Sequence, residues 1–127
     1  MAKFLKLWLP VTAWAVFIFY LSSIPDLKSS FEFDFILRKI FHVVEYFILA
    51  WLLYRAFAGS FDNINIPRLF IYPTAISFLY AISDELHQSF VPSRNCSILD
   101  LLIDAMGILI FYIINIFVFR RKRRILI

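Results

Sequence analysis

Glycine, cysteine and histidine are nearly missing from these 127 residues: Gly59 and Gly107, Cys96, and His42 and His87 are all there are. A lone cysteine cannot close an internal disulfide, and without a second thiol nearby Cys96 reads as a free thiol in a turn. There is no glycine-rich phosphate loop, His-Glu-x-x-His zinc motif or Gly-x-Ser-x-Gly elbow, so nucleotide-driven chemistry has no cradle here. Charge is sparse as well. Charged residues are 17% of the chain against 62% hydrophobic and 20% aromatic, with a mean hydropathy of +0.81. A soluble domain of this size needs polar residues to cover its core, so this composition implies a membrane protein.

The apolar residues fall into four blocks, 5–24, 36–57, 69–91 and 98–119. At about 20 residues each block can cross a hydrocarbon core of about 30 Å. Short polar connections separate them at 24–35, 58–68 and 92–97, and no internal repeat or domain boundary interrupts the chain. The expectation is one all-α unit, 1–127, a bundle of four transmembrane helices. Lys3 and Lys6 before the first block resemble a signal peptide, but no small-x-small cleavage site follows and three more spans do. The first block is therefore read as a retained helix, with Pro10 near its start, where a missing N–H is tolerated.

Orientation follows from the basic residues. Four spans put both termini on one side, with Lys3, Lys6, Arg55, Arg68 and the tail Arg120, Arg121, Lys122, Arg123 and Arg124. The other side has Lys28, Arg38, Lys39 and Arg94, together with Asp26, Glu32 and Asp34. The positive-inside rule places both termini in the cytoplasm of a multi-pass cell-membrane protein. The basic tail then reads as a topology anchor on anionic lipid, and no nucleic acid is implied. Trp8, Trp14, Trp51, Tyr46, Tyr80 and the phenylalanines suit lipid-facing and interfacial positions.

Against this background the polar residues gather at one level. In an inside-first chain His42 and Glu45 lie in the outer half of the second helix, and Asp84, Glu85, His87 and Gln88 at the outer end of the third. Asp100 and Asp104 lie near the outer start of the fourth, and Ser22 and Ser23 end the first. The spacings His42/Glu45, Asp84/His87, Asp84/Gln88 and Asp100/Asp104 are i, i+3 or i, i+4, so each pair shares a helical face. Charge is costly against lipid, about 2.5–3.5 kcal/mol for a central Asp, and these faces are expected to turn inward. The apolar run 69–82 spans only about 21 Å, so the DELHQ segment completes the crossing or lines a mouth open to the outside.

These residues also resemble a known family, the VanZ-like membrane proteins, whose recurring pattern is matched along nearly the whole chain. Its elements appear as Ser22, Ser23 and Pro25; Lys39, His42, Glu45 and Tyr46; Asp84, Glu85, His87 and Gln88; and Pro92, Ser93, Arg94 and Asp100. Ser93 stands where the family's turn has Gly, and Asp104 stands where Asn is expected ahead of Gly107. The resemblance implies four transmembrane helices and, for the member that names the family, reduced teicoplanin susceptibility.

Residue chemistry leaves several functions open. Two histidines and several carboxylates from three helices are a ligand inventory for zinc or manganese, and a carboxylate beside a histidine can act as acid and base. The same residues make charge-assisted pairs that brace a bundle. Asp100 fits a capping box begun by Ser97, whereas Asp104, a turn deeper, has no such role. Arg94 is placed to grip a carboxylate or phosphate. The lead reading is a binder of an envelope lipid, a glycopeptide or a membrane partner through Arg94, His42, Glu45, Gln88, Asp100, Asp104, Ser22 and Ser23. The alternative is a small membrane enzyme, metal-assisted or not, acting on a lipid-linked envelope substrate with Glu85, His87 and Asp84 as its reactive groups. An ion or proton relay is third, but the inner half offers no matching polar path.

Overall fold

A computed structural model of the chain describes residues 1–25 and 33–125, the last six as backbone. Asp26, Lys28, Glu32 and the basic side chains of the tail, all used in the charge count, lie outside the described residues. Four helices follow one another: α1 (Ala2–Ser23), α2 (Asp34–Ser60), α3 (Ile66–Gln88) and α4 (Ile98–Ile125). The protein is an all-α membrane bundle.

Side-chain contacts give the helix directions. Trp8 at the start of α1 packs on Phe57 near the end of α2, and its indole donates to Ser60 Oγ at 2.9 Å. Tyr54 meets Phe70 across the α2–α3 connection. Lys39, His42 and Phe47 of α2 meet Asp100, Asp104 and Phe111 of α4 in the same order along both helices. Tyr80 and His87 of α3 likewise meet Ala15 and Ser23 of α1. The bundle thus runs up, down, up, down.

Three helices, α1, α3 and α4 as far as Phe119, are long and apolar enough to cross a membrane. The second helix has the length but carries Asp34, Arg38, Lys39, His42 and Glu45 in its first half. It tolerates them because it packs on all three other helices and turns most of that face inward. Its second half is apolar and supplies much of the core: Leu49, Ala50, Leu52, Leu53 and Ala56 are buried with Tyr46, Ile18 and Phe111.

Four aromatic expectations are corrected by this packing. Tyr46 is fully buried, and Trp8, Trp14 and Tyr80 bridge helices, Trp14 donating to Glu45 O at 2.9 Å and Tyr80 to Ala15 O at 2.6 Å. Trp14 and Tyr80 find backbone partners, and Trp8 a serine hydroxyl, between helices that lipid could not supply. Trp51 stays exposed on the surface of the bundle. The position of Pro10 also differs, because α1 starts at Ala2 and the proline falls two turns inside it. Its missing N–H frees the carbonyl of Lys6, and Arg55 Nη2 donates to that oxygen at 3.3 Å.

Helix ends follow local chemistry. Asn65 caps α3 by accepting from Arg68 N, with Pro67 in the first turn. Ser97 Oγ accepts from Asp100 N at 3.3 Å, the expected cap of α4. The third helix stops at Gln88, short of Val91, and a turn through Ser93 follows. Ser93 has φ 62°, the left-handed region that a glycine adopts without steric cost.

Helices α2 and α4 come into backbone contact at Gly107. A Cβ there would lie 2.3 Å from Val43 O and 3.2 Å from Phe47 N. Only glycine permits this contact, and it sits one turn from Asp104 on one helix and one residue from His42 on the other.

Candidate functional site

The polar residues of all four helices meet at one end of the bundle, in two adjoining layers. The deeper layer lies between α2, α3 and α4. His42 Nδ1 and Asp104 Oδ1 are 2.8 Å apart, and Asp104 is fully buried. Lys39 Nζ bonds Asp100 Oδ1 one turn nearer the end of the bundle. Glu85, 2% exposed, accepts from Ser97 N through Oε2 at 2.9 Å and so faces the start of α4, not the side of α3 that bears Asp84. A ligand atom from each of His42, Glu85 and Asp104 lies within 4.8 Å of the others. Glu85 Oε1 and Asp104 Oδ2 are buried with no hydrogen-bond partner.

The second layer is a cavity of about 310 Å³ between α1, α2 and α3. Phe17, Ile18, Leu21 and Phe41 form its apolar wall; Phe17 and Phe41 are exposed on the flank of the bundle. His42, Glu45, Asp84 and Gln88 line its polar side, with Ser22. Gln88 Nε2 donates to Asp84 Oδ2 at 3.2 Å, while Asp84 Oδ1 and Ser22 Oγ are buried and unpartnered. Two guanidinium groups, Arg38 and Arg94, complete the lining.

His42 is the one residue the two layers share. It presents its ring to the cavity and is held from behind by Asp104, which fixes the ring's orientation.

The remaining expected residues are held by other partners. His87 is off the cavity wall, stacked on Phe19 with ring centroids 4.3 Å apart and 2.9 Å from Ser23 Oγ. Asp100 is occupied by Lys39 and by the α4 cap. Arg94, expected to grip an anion, donates from Nε to Ile24 O at 3.1 Å and from Nη2 to Leu21 O at 3.2 Å. It thereby caps the last carbonyls of α1, the favoured place for a cation. Of the three reactive candidates Glu85, His87 and Asp84, only Asp84 lines the cavity.

Lys39 and Arg38 are contributors that sequence reasoning gives no site role. Arg38 is paired with Asp34 at 3.1 Å, an i, i+4 contact readable from the sequence; the Lys39–Asp100 pair has no such signal because it joins separate helices.

Comparison with known proteins identifies the family of the chain. The model of the VanZ/LLP1 family matches residues 3–120. The chain belongs to the VanZ/LLP1 family. A relative in Bacillus subtilis (strain 168), the uncharacterized membrane protein YwnJ, is 34% identical over 113 residues, which cover 83% of this chain and 73% of YwnJ. No solved structure matches the chain. The two layers described above therefore give this VanZ/LLP1 protein a geometry for residues that its sequence only brings to one level.

Proposed function

We propose that this protein binds the phosphate-bearing head group of a membrane lipid or lipid-linked envelope molecule from the outer leaflet. The observation that carries the reading is the two-sided cavity, whose apolar wall of Phe17, Ile18, Leu21 and Phe41 gives onto the lipid-facing flank while His42, Glu45, Asp84 and Gln88 line its polar side and Arg94 and the exposed Arg38 complete it. An acyl or prenyl chain lies along the wall, the phosphate faces the two guanidinium groups, and hydroxyl or amine groups meet the carboxylates.

Volume bears on the choice of ligand. About 310 Å³ is at the lower end of cavities of ~300–1,000 Å³ that hold drug-sized ligands, too small for a glycopeptide. An effect on teicoplanin susceptibility in this reading passes through the lipid and not through capture of the drug. A second reading, chemical conversion of the bound head group, is favoured by the His42 ring, which faces the cavity with Nδ1 held by buried Asp104.

Lipid analysis of protein purified in mild detergent tests the proposal. One class of phosphate-bearing lipid should be enriched over the membrane average and lost in Arg38→Gln and Glu45→Gln proteins that remain folded. A lipid profile that matches the bulk membrane in wild type refutes it. Conversion of that lipid to a product by wild type, absent in His42→Gln, would establish the second reading.

A further inference from the structure

Behind the cavity, the deeper layer has more negative charge than it has partners. Glu85 and Asp104 are 2% and 0% exposed, and each keeps one oxygen, Oε1 and Oδ2, that meets no donor among the described residues. A buried carboxylate oxygen without a partner forfeits its hydration for nothing in return, and two of them beside one another repel. Lys39, which is close to both carboxylates, is bonded to Asp100. An imidazole nitrogen of His42 completes a set of three ligand atoms within 4.8 Å, drawn from three different helices.

We propose that His42, Glu85 and Asp104 bind one divalent transition-metal ion. Two carboxylates and a divalent ion sum to zero charge, the cheapest state for a group buried inside a membrane protein. The donor set of one nitrogen and two carboxylates suits zinc, manganese or ferrous iron and disfavours copper(I), which prefers sulfur. Ligands from α2, α3 and α4 make the ion a clamp on the polar end of the bundle. Because His42 also lines the cavity, an ion at this place lies beside the bound head group and offers it a Lewis acid. The metal site stands without the lipid reading: it rests on the deeper layer alone.

Cobalt(II) and manganese(II) are the probes. Purified full-length protein, stripped with chelator and dialysed, should bind one equivalent of cobalt(II), with visible d–d absorption and no lipid required. Glu85→Gln and Asp104→Asn should each weaken binding at least tenfold, while Asp100→Asn, one turn from Asp104 on α4 and bonded to Lys39, should retain the stoichiometry. Should the ligand variants fail to fold, wild type decides: electron spin-echo of bound manganese(II) should show one histidine nitrogen, and this must persist in His87→Ala, since the chain has two histidines. Less than a stoichiometric ion in wild type, cobalt binding indifferent to the ligand variants, or a nitrogen signal that disappears with His87 each overturns the proposal. Failure to enrich a lipid leaves these results unchanged, so the two readings fail separately.

Discussion

Substituting Gly107 with alanine tests the link between helix packing and the site. The new Cβ would lie 2.3 Å from Val43 O and 3.1 Å from Val43 C, whereas ordinary van der Waals contact begins near 3.4 Å. The obstacle is backbone, so relief requires α4 to withdraw from α2 by about 1 Å. Asp104 is one turn away on the same helix, and its 2.8 Å contact with His42 would lengthen beyond hydrogen-bonding range. Overpacking costs about 1–3 kcal/mol, and a weakened buried pair adds to it, giving about 2–4 kcal/mol in all. Gly59 is the internal control. A Cβ there meets Leu7 Cδ1 at 2.7 Å, the free end of a side chain that can rotate, and Gly59→Ala should cost under about 0.5 kcal/mol. Tryptophan-monitored unfolding in detergent reads both. A double-mutant cycle sharpens the test: Asp104→Asn should cost less on the Gly107→Ala background than alone, because the bond it removes is already strained. If Gly107→Ala melts like wild type, or if the two substitutions add, the close approach does not hold the site together.

Three further outcomes are expected. Ser93→Gly should stabilise the protein by about 1 kcal/mol, since φ 62° costs a residue with a Cβ about 1–2 kcal/mol that glycine avoids; a loss of stability in thermal unfolding would refute the turn geometry. Arg94→Lys should fray the end of α1, because one ammonium cannot reproduce the Nε and Nη2 bonds to Ile24 O and Leu21 O; faster amide exchange confined to 21–25 is the signature, and unchanged exchange refutes the capping role. Cys96 is exposed at the polar end, so a membrane-impermeant maleimide should label it on intact cells or spheroplasts; labelling only after the cytoplasmic face is opened reverses the orientation on which the outer-leaflet proposal depends.

The helices were legible because hydrophobic runs, prolines and polar turns punctuate the chain clearly. The shared level of the polar groups was legible too, since alternating direction carries residues 22, 42, 84 and 104 to one end whatever their partners. Pairing was not. Spacing shows that His42 and Glu45 share a face, but the 2.8 Å contact is with Asp104, set by how far α4 slides along α2. That offset depends on Gly107 meeting Val43, a contact between residues 64 apart in sequence. Arg94 gave a similar lesson: a guanidinium near carboxylates reads as an anion grip, yet uncapped carbonyls at the end of α1 claimed two of its donors. Trp14 and Tyr46 looked like lipid-facing aromatics because burial inside a bundle and burial in lipid draw on the same residue types.

The order of these contacts along the chain has a consequence for biosynthesis. Lys39, His42 and Glu85 find their partners at Asp100, Asp104 and Ser97, all within one short stretch at the start of α4. Until that stretch leaves the ribosome, Lys39, His42 and Glu85 lack the hydrogen-bond partners they have in the finished bundle. The nascent protein is therefore most exposed to quality-control proteolysis in the interval before its last helix enters the bilayer, and a chain truncated ahead of residue 97 should be cleared, not stored.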